Sequence, residues 1–262
     1  MRISGRRQIS NFKRAVRTAL ALSCCFVAVA CTTVNPKNKH AAFIKLQEGL
    51  QFLGKEDYPA ALRALTEAEK LDPQSYMIEN DLGLLYFLRN HPQEAEDHLT
   101  RSIAIKSDYT EARNNLARIH LELGRFDQAL KELQGVLADL TYPTPEKAYF
   151  NIGLVYFRKG DFEKAKLNFV QAIKQNRRFC PAHSFYGQSE YQLKEYQKAT
   201  DVFDNGMIVC PDLSDEFRYH GALAYFRLGK SEQAIARMEE LIKLNPESPN
   251  AEKAKAMLKI MK

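Results

Sequence analysis

Glycine, proline and cysteine are scarce in this chain: its 262 residues include 12, 10 and 5 of them. That composition excludes a collagen-like helix, a low-complexity polymer and a disulfide framework. No acid precedes Glu48, and the apolar stretch 19–30 falls short of the roughly 20 residues a transmembrane helix needs. His40, His91, His98, His120, His183 and His220 form no HExxH motif. What is present is globular: 45% of residues are hydrophobic and 27% charged, enough to bury a core in one large or two smaller domains.

The six charges Arg2, Arg6, Arg7, Lys13, Arg14 and Arg17 are followed by the apolar stretch and then by Ala28-Val29-Ala30-Cys31. A basic head, about a dozen apolar residues and small residues before a cleavage point describe a secretory signal over 1–30, absent from the mature protein. The last four residues resemble a bacterial lipobox, with Ala28 where Leu is usual. The resemblance implies lipidation of Cys31, and Thr32 in place of Asp implies sorting to the outer membrane, facing the periplasm. Residues 31–41 then form an acylated terminus and short linker. Arg6-Arg7 leaves twin-arginine export open beside the general route.

An internal repeat organises the rest. Gly49, Gly83, Ala117, Gly153, Gly187 and Ala222 stand 34, 34, 36, 34 and 35 residues apart. Twelve residues after each comes Ala61, Ala95, Ala129, Ala165, Ala199 or Ala234, and four further on Leu65, Leu99, Leu133, Phe169, Phe203 or Met238. Small residues let two helices cross closely, and the large ones fill the space between pairs. Within units the apolar residues recur at helical spacing, and Gly124, Gly160 and Gly229 mark turns. The pattern resembles the tetratricopeptide repeat, a helix-turn-helix unit of about 34 residues. That resemblance implies an all-α, right-handed superhelical solenoid of six repeats (42–75, 76–109, 110–143, 146–179, 180–213, 215–248) and a capping helix in 249–262. The prolines Pro143 and Pro145, with two extra residues, are expected to divide the array into repeats 1–3 and 4–6. Glu190 and His120 replace the aromatic residues Phe52, Tyr86, Tyr156 and Tyr225, and Glu190 is expected at an exposed, slightly opened seam.

No catalytic constellation emerges, and no cofactor, metal or small-molecule substrate is implied. Gly229-Lys230-Ser231 resembles the end of a phosphate-binding loop, but Ala224 stands where its first glycine should and no strand precedes it. His183 lies one helical turn from Cys180, which reads as a surface pair. Cys180 and Cys210 flank repeat 5 and, with antiparallel helices, lie at one end of the pair. They are either bonded in an oxidising compartment or two free thiols too far apart.

The concave face, lined by the first helix of each pair, is the expected partner surface. Its usual inward positions place Asn80, Leu84, Phe87, Asn114, Arg118, Phe150, Leu154, Phe157 and Tyr191 there, with the centre expected around Phe150, Leu154 and Phe157. Apolar surface in a groove suits an extended or helical peptide. Six repeats directly behind a lipobox, with the stretch 140–182, resemble the type IV pilus biogenesis and stability lipoproteins, the pilotins. That resemblance implies a non-enzymatic adaptor that binds the pilus secretin and promotes its outer-membrane localisation and multimer assembly. The alternative is a general envelope scaffold that recruits peptidoglycan hydrolases or assists outer-membrane protein assembly. The formal charge of +6 supports no nucleic-acid partner: 38 Lys and Arg less the six of the signal leaves 32, matching 32 acids.

Overall fold

A computed structural model describes residues 35–261; the signal and the lipidation site expected at Cys31 lie outside them. Thirteen α-helices follow one another among the described residues. They pair as α1 (Pro36–Gly54) with α2 (Tyr58–Leu71), α3 (Tyr76–Leu88) with α4 (Pro92–Ile105), and α5 (Thr110–Glu122) with α6 (Phe126–Ala138). The second half pairs α7 (Pro145–Arg158) with α8 (Phe162–Gln175), α9 (Cys180–Gln192) with α10 (Tyr196–Val209), and α11 (Ser214–Arg227) with α12 (Ser231–Leu244). The last helix, α13 (Pro249–Met261), caps the stack: Ala254 is buried against Ala222 and Met238, with Met257, Leu258 and Met261 packed around them. The first helix begins at Pro36, ahead of the linker boundary expected at 41. Proline suits a helix start because its missing N–H would have had no partner there.

Each pair turns the same way, and the sequence explains how. The first helix of every pair ends with one residue in the left-handed region: Glu56, Asn90, Gly124, Gly160, Lys194 and Gly229, with φ between 59° and 77°. The following N–H, at 57, 91, 125, 161, 195 and 230, donates back to the carbonyl at 52, 86, 120, 156, 190 and 225. This closes a Schellman motif at all six turns. Gly229-Lys230-Ser231 is one such turn. Asp57 and Asp161 then start α2 and α8 by accepting from the Ala60 and Lys164 N–H groups at 3.1 Å.

The two signature positions meet. A Cβ on Gly83 would stand 2.7 Å from Leu99, and one on Gly153 would stand 2.5 Å from the Phe169 ring. Leu65, Leu99, Leu133, Phe169, Phe203 and Met238 are all fully buried.

The proline insertion does not divide the array; residues from Lys37 onward form one compact unit. The extra residues are absorbed in a turn. Tyr142 drops into the seam against Leu133, Val136 and Ile152, and its hydroxyl donates to Glu111 at 2.9 Å. Asp139 closes the turn by accepting from Thr110 and from the Thr141 N–H. Glu190 also departs from expectation: it is buried, with Lys166 3.9 Å away. His183 is buried, its Nε2 2.9 Å from the Arg177 carbonyl oxygen, because the helix start folds over it. Cys180 is not its partner but is disulfide-bonded to Cys210, the Cα atoms 5.6 Å apart.

Candidate functional site

Helices α3, α5 and α7 lie side by side and enclose a cavity of about 480 Å³. Five of the expected groove residues line it: Asn80, Leu84, Asn114, Arg118 and Phe150. Asp81, Tyr109, Glu111, Asn115, Lys147, Asn151 and Phe179 complete the wall. Asn80 and Asn114 are buried, however, because each holds a neighbouring helix. Asn115 Nδ2 donates to Asn80 Oδ1 at 3.0 Å, and Asn151 Nδ2 donates to Asn114 Oδ1 at 3.0 Å. These amide pairs bridge three successive repeats and hold the cavity in shape. Buried amides of this kind stay in place only when their partners are satisfied.

The remaining expected residues fall elsewhere. Phe87 sits beneath the Arg118 guanidinium, 5.0 Å from ring centre to charge. Leu154 and Phe157 pack into the aromatic cluster of Phe169 and Phe185, where the Phe157 and Phe185 rings stand edge to face at 5.4 Å. Tyr191 packs edge to face on Tyr196 at 5.3 Å. The open centre of the groove therefore lies toward repeats 2–4, and only Phe150 of the expected central trio faces it. Phe150 shares that aromatic cluster, its ring centre 5.6 Å from that of Phe169, and also lines the cavity.

The cavity is amphoteric. Burial pushes the Asp81 carboxyl up to about 6, against the lowering effect of the Asn80 amide and with added repulsion from Glu111. Burial also pushes Tyr109 up to about 12. Desolvation lowers the Arg118 guanidinium from its usual value, opposed by Glu122 and Glu111. Lys147 lies 3.5 Å from Glu111. A register signal marked some of the missed residues: Asp81, Asn115 and Asn151 each follow an expected groove position by one residue, at 34- and 36-residue spacing.

Two other features stand apart from this cavity. Glu69, Glu79 and His98 bring ligand-capable atoms within 4.8 Å of one another. Arg101 fills the place of a cation there, its Nε 3.0 Å from Glu79 Oε2 and a second nitrogen 2.6 Å from His98 Nδ1. Although burial opposes it, His98 and Arg101 hold the Glu79 carboxyl below its ordinary range. On the second-helix side, a smaller cavity of about 380 Å³ lies among Val170, Ile173, Tyr186 and Val202. Among the described residues no helix is long and apolar enough to cross a membrane.

A stack of helix pairs with a lined concave face defines a repeat-built protein-interaction scaffold. Tetratricopeptide repeat models match residues 46–110, 86–141, 146–179 and 217–248, and the chain belongs to the tetratricopeptide repeat family. Among curated relatives, it is 23% identical over 197 residues to the type IV pilus assembly protein PilF of Pseudomonas aeruginosa. That match covers 72% of this chain and 78% of PilF. It is 27% identical over 199 residues to the CTR9 homolog of Arabidopsis thaliana, covering 73% of this chain but only 18% of that protein. Among solved structures, PilW, a widely conserved type IV pilus biogenesis factor, superposes with a TM-score of 0.75 at 22% identity. It is matched over 97% of its length by 81% of this chain. PilF of Pseudomonas aeruginosa superposes with a TM-score of 0.69 at 20% identity, with 99% of its length matched by 84% of this chain.

Proposed function

We propose that this chain is a lipid-tethered adaptor of type IV pilus biogenesis. It docks a segment of the pilus secretin in its concave groove and promotes secretin localisation and multimer assembly at the outer membrane. Coextension carries the reading. Two pilus biogenesis factors match this array over 97% and 99% of their lengths, so the likeness supports a shared whole architecture rather than one borrowed repeat. The groove adds a site of suitable size and mixed chemistry.

Physically, acyl chains on Cys31 hold the scaffold to the bilayer, since two or three chains anchor stably where one binds marginally. Helix α1 begins at Pro36, so residues 32–35 can reach at most about 14 Å. The array stays close to its membrane. Tethering concentrates captured secretin subunits on one surface, which favours oligomerisation without a chemical step. A Cys31→Ala variant is expected to leave the outer membrane and to leave secretin monomeric. A normal yield of heat-resistant secretin multimer in that variant would refute the proposal.

A further inference from the structure

Arg118 is the anomaly of the cavity. Arg113, Arg125, Arg158 and Arg237 each end on a carboxylate, of Glu132, Glu96, Glu122 and Asp204, at 2.7–3.0 Å. Arg118 is half-buried, and among the described residues it has no hydrogen-bond or ion-pair partner; its guanidinium lies over the face of Phe87. The acids nearby are already engaged: Glu111 by Tyr142 and Lys147, Glu122 by Arg158, and Asp81 by Asn80. Withdrawing a charge even partly from water without a partner is costly. Stacking on Phe87 uses only the flat face of the guanidinium and leaves its in-plane N–H groups free for a planar acceptor.

We propose that the cavity between repeats 2 and 4 receives an Asp or Glu side chain of the docked segment, with Arg118 as its counter-ion and an adjacent large apolar residue seated between Leu84 and Phe150. The inference rests on the groove being the docking face. The geometry selects the chemistry: a carboxylate matches the guanidinium edge in two parallel hydrogen bonds. A dianionic phosphate would bring its second charge against Asp81 and Glu111. The apolar wall of Leu84, Phe150 and Phe179 supplies the neighbouring contact.

The test uses the full acylated chain in membranes that contain the secretin, with a photocrosslinking phenylalanine at Leu84 or Phe150 and mass spectrometry of the captured segment. The crosslinked segment is expected to carry an acid beside a large apolar residue. Arg118→Glu is expected to reduce the yield about tenfold or more, the scale of a lost charge-assisted contact. Changing the captured acid to Arg restores the yield. A captured segment without an acid within two residues of the crosslink, or a yield unmoved by Arg118→Glu, overturns the carboxylate assignment and leaves the groove standing. Crosslinking from Val202 on the second-helix side, with none from Leu84 or Phe150, overturns the groove reading, as does an absence of crosslinks from all three positions.

Discussion

Replacing Gly153 with alanine probes the contact on which the whole stack is built. The added Cβ would stand 2.5, 2.7 and 3.0 Å from Cε1, Cδ1 and Cζ of Phe169, where carbon atoms prefer about 3.5–4.0 Å. The ring must retreat by about 1 Å. It has nowhere to go: Phe169 is fully buried, with the Phe150 and Phe185 ring centres both 5.6 Å away. Overpacking of that kind costs about 2–3 kcal/mol. Phe169→Leu alone removes buried carbon and leaves a small void, costing about 1–2 kcal/mol. Repeat 3 already combines the two replacements, with Ala117 and Leu133 both fully buried at the equivalent positions. The double variant Gly153→Ala/Phe169→Leu should therefore lose only about 2 kcal/mol, with a coupling of about 2 kcal/mol between the sites, well beyond the scatter of independent ones. Urea denaturation followed by far-UV circular dichroism, with hydrogen exchange of the α7 and α8 amides to confine the effect to repeat 4, measures the cycle. Additivity within about 0.5 kcal/mol would refute the reasoning.

Three further outcomes follow from particular residues. Asp81 binds its proton more tightly when folded, so the native state loses stability as pH rises from about 4 to 6 and stays lower above that. Asp81→Asn should gain about 2–3 kcal/mol at pH 7.5 and little at pH 4, measured as paired denaturation curves; equal differences at both pH values would reject the assignment. Lys194, held at φ 64°, should gain about 0.5–1 kcal/mol on replacement by glycine, while Gly160→Ala at the equivalent turn loses about as much; unchanged melting temperatures would contradict the turn argument. Replacing Cys180 and Cys210 with serine opens a bridge between residues 30 apart and should cost roughly 3–4 kcal/mol. A reductant should then lower the melting temperature of the natural chain but not of the double serine variant.

The repeat architecture was legible because its signature residues touch one another at a fixed period. Gly83 and Leu99, or Gly153 and Phe169, are sixteen residues apart and in contact, so the period that resembles a tetratricopeptide repeat pointed to the helix pair. The cavity was legible only in part. Inward positions such as Leu84 and Arg118 follow from the resemblance to a tetratricopeptide repeat, but which of them stays open depends on neighbouring repeats. Phe157 instead packs edge to face on Phe162 and Phe185, contacts between helices that no single-helix pattern encodes. Glu190 was misplaced for the same reason: it is buried where Lys166 of the preceding repeat approaches its carboxylate. The absorption of Pro143 and Pro145 rested on Tyr142 finding a slot, a matter of shape rather than of chain-breaking tendency.

The bridge between Cys180 and Cys210 has a consequence for how the array comes apart. In a linear stack each repeat is held mainly by its neighbours, so opening starts at an end and travels inward. α13 and repeat 6 can peel away, but repeat 5 then opens with its two ends still covalently joined, so its unravelled form keeps little conformational freedom. The bond thus discourages fraying from the carboxyl end. Repeats 2–4, which hold the cavity, lie on the far side of that resistance.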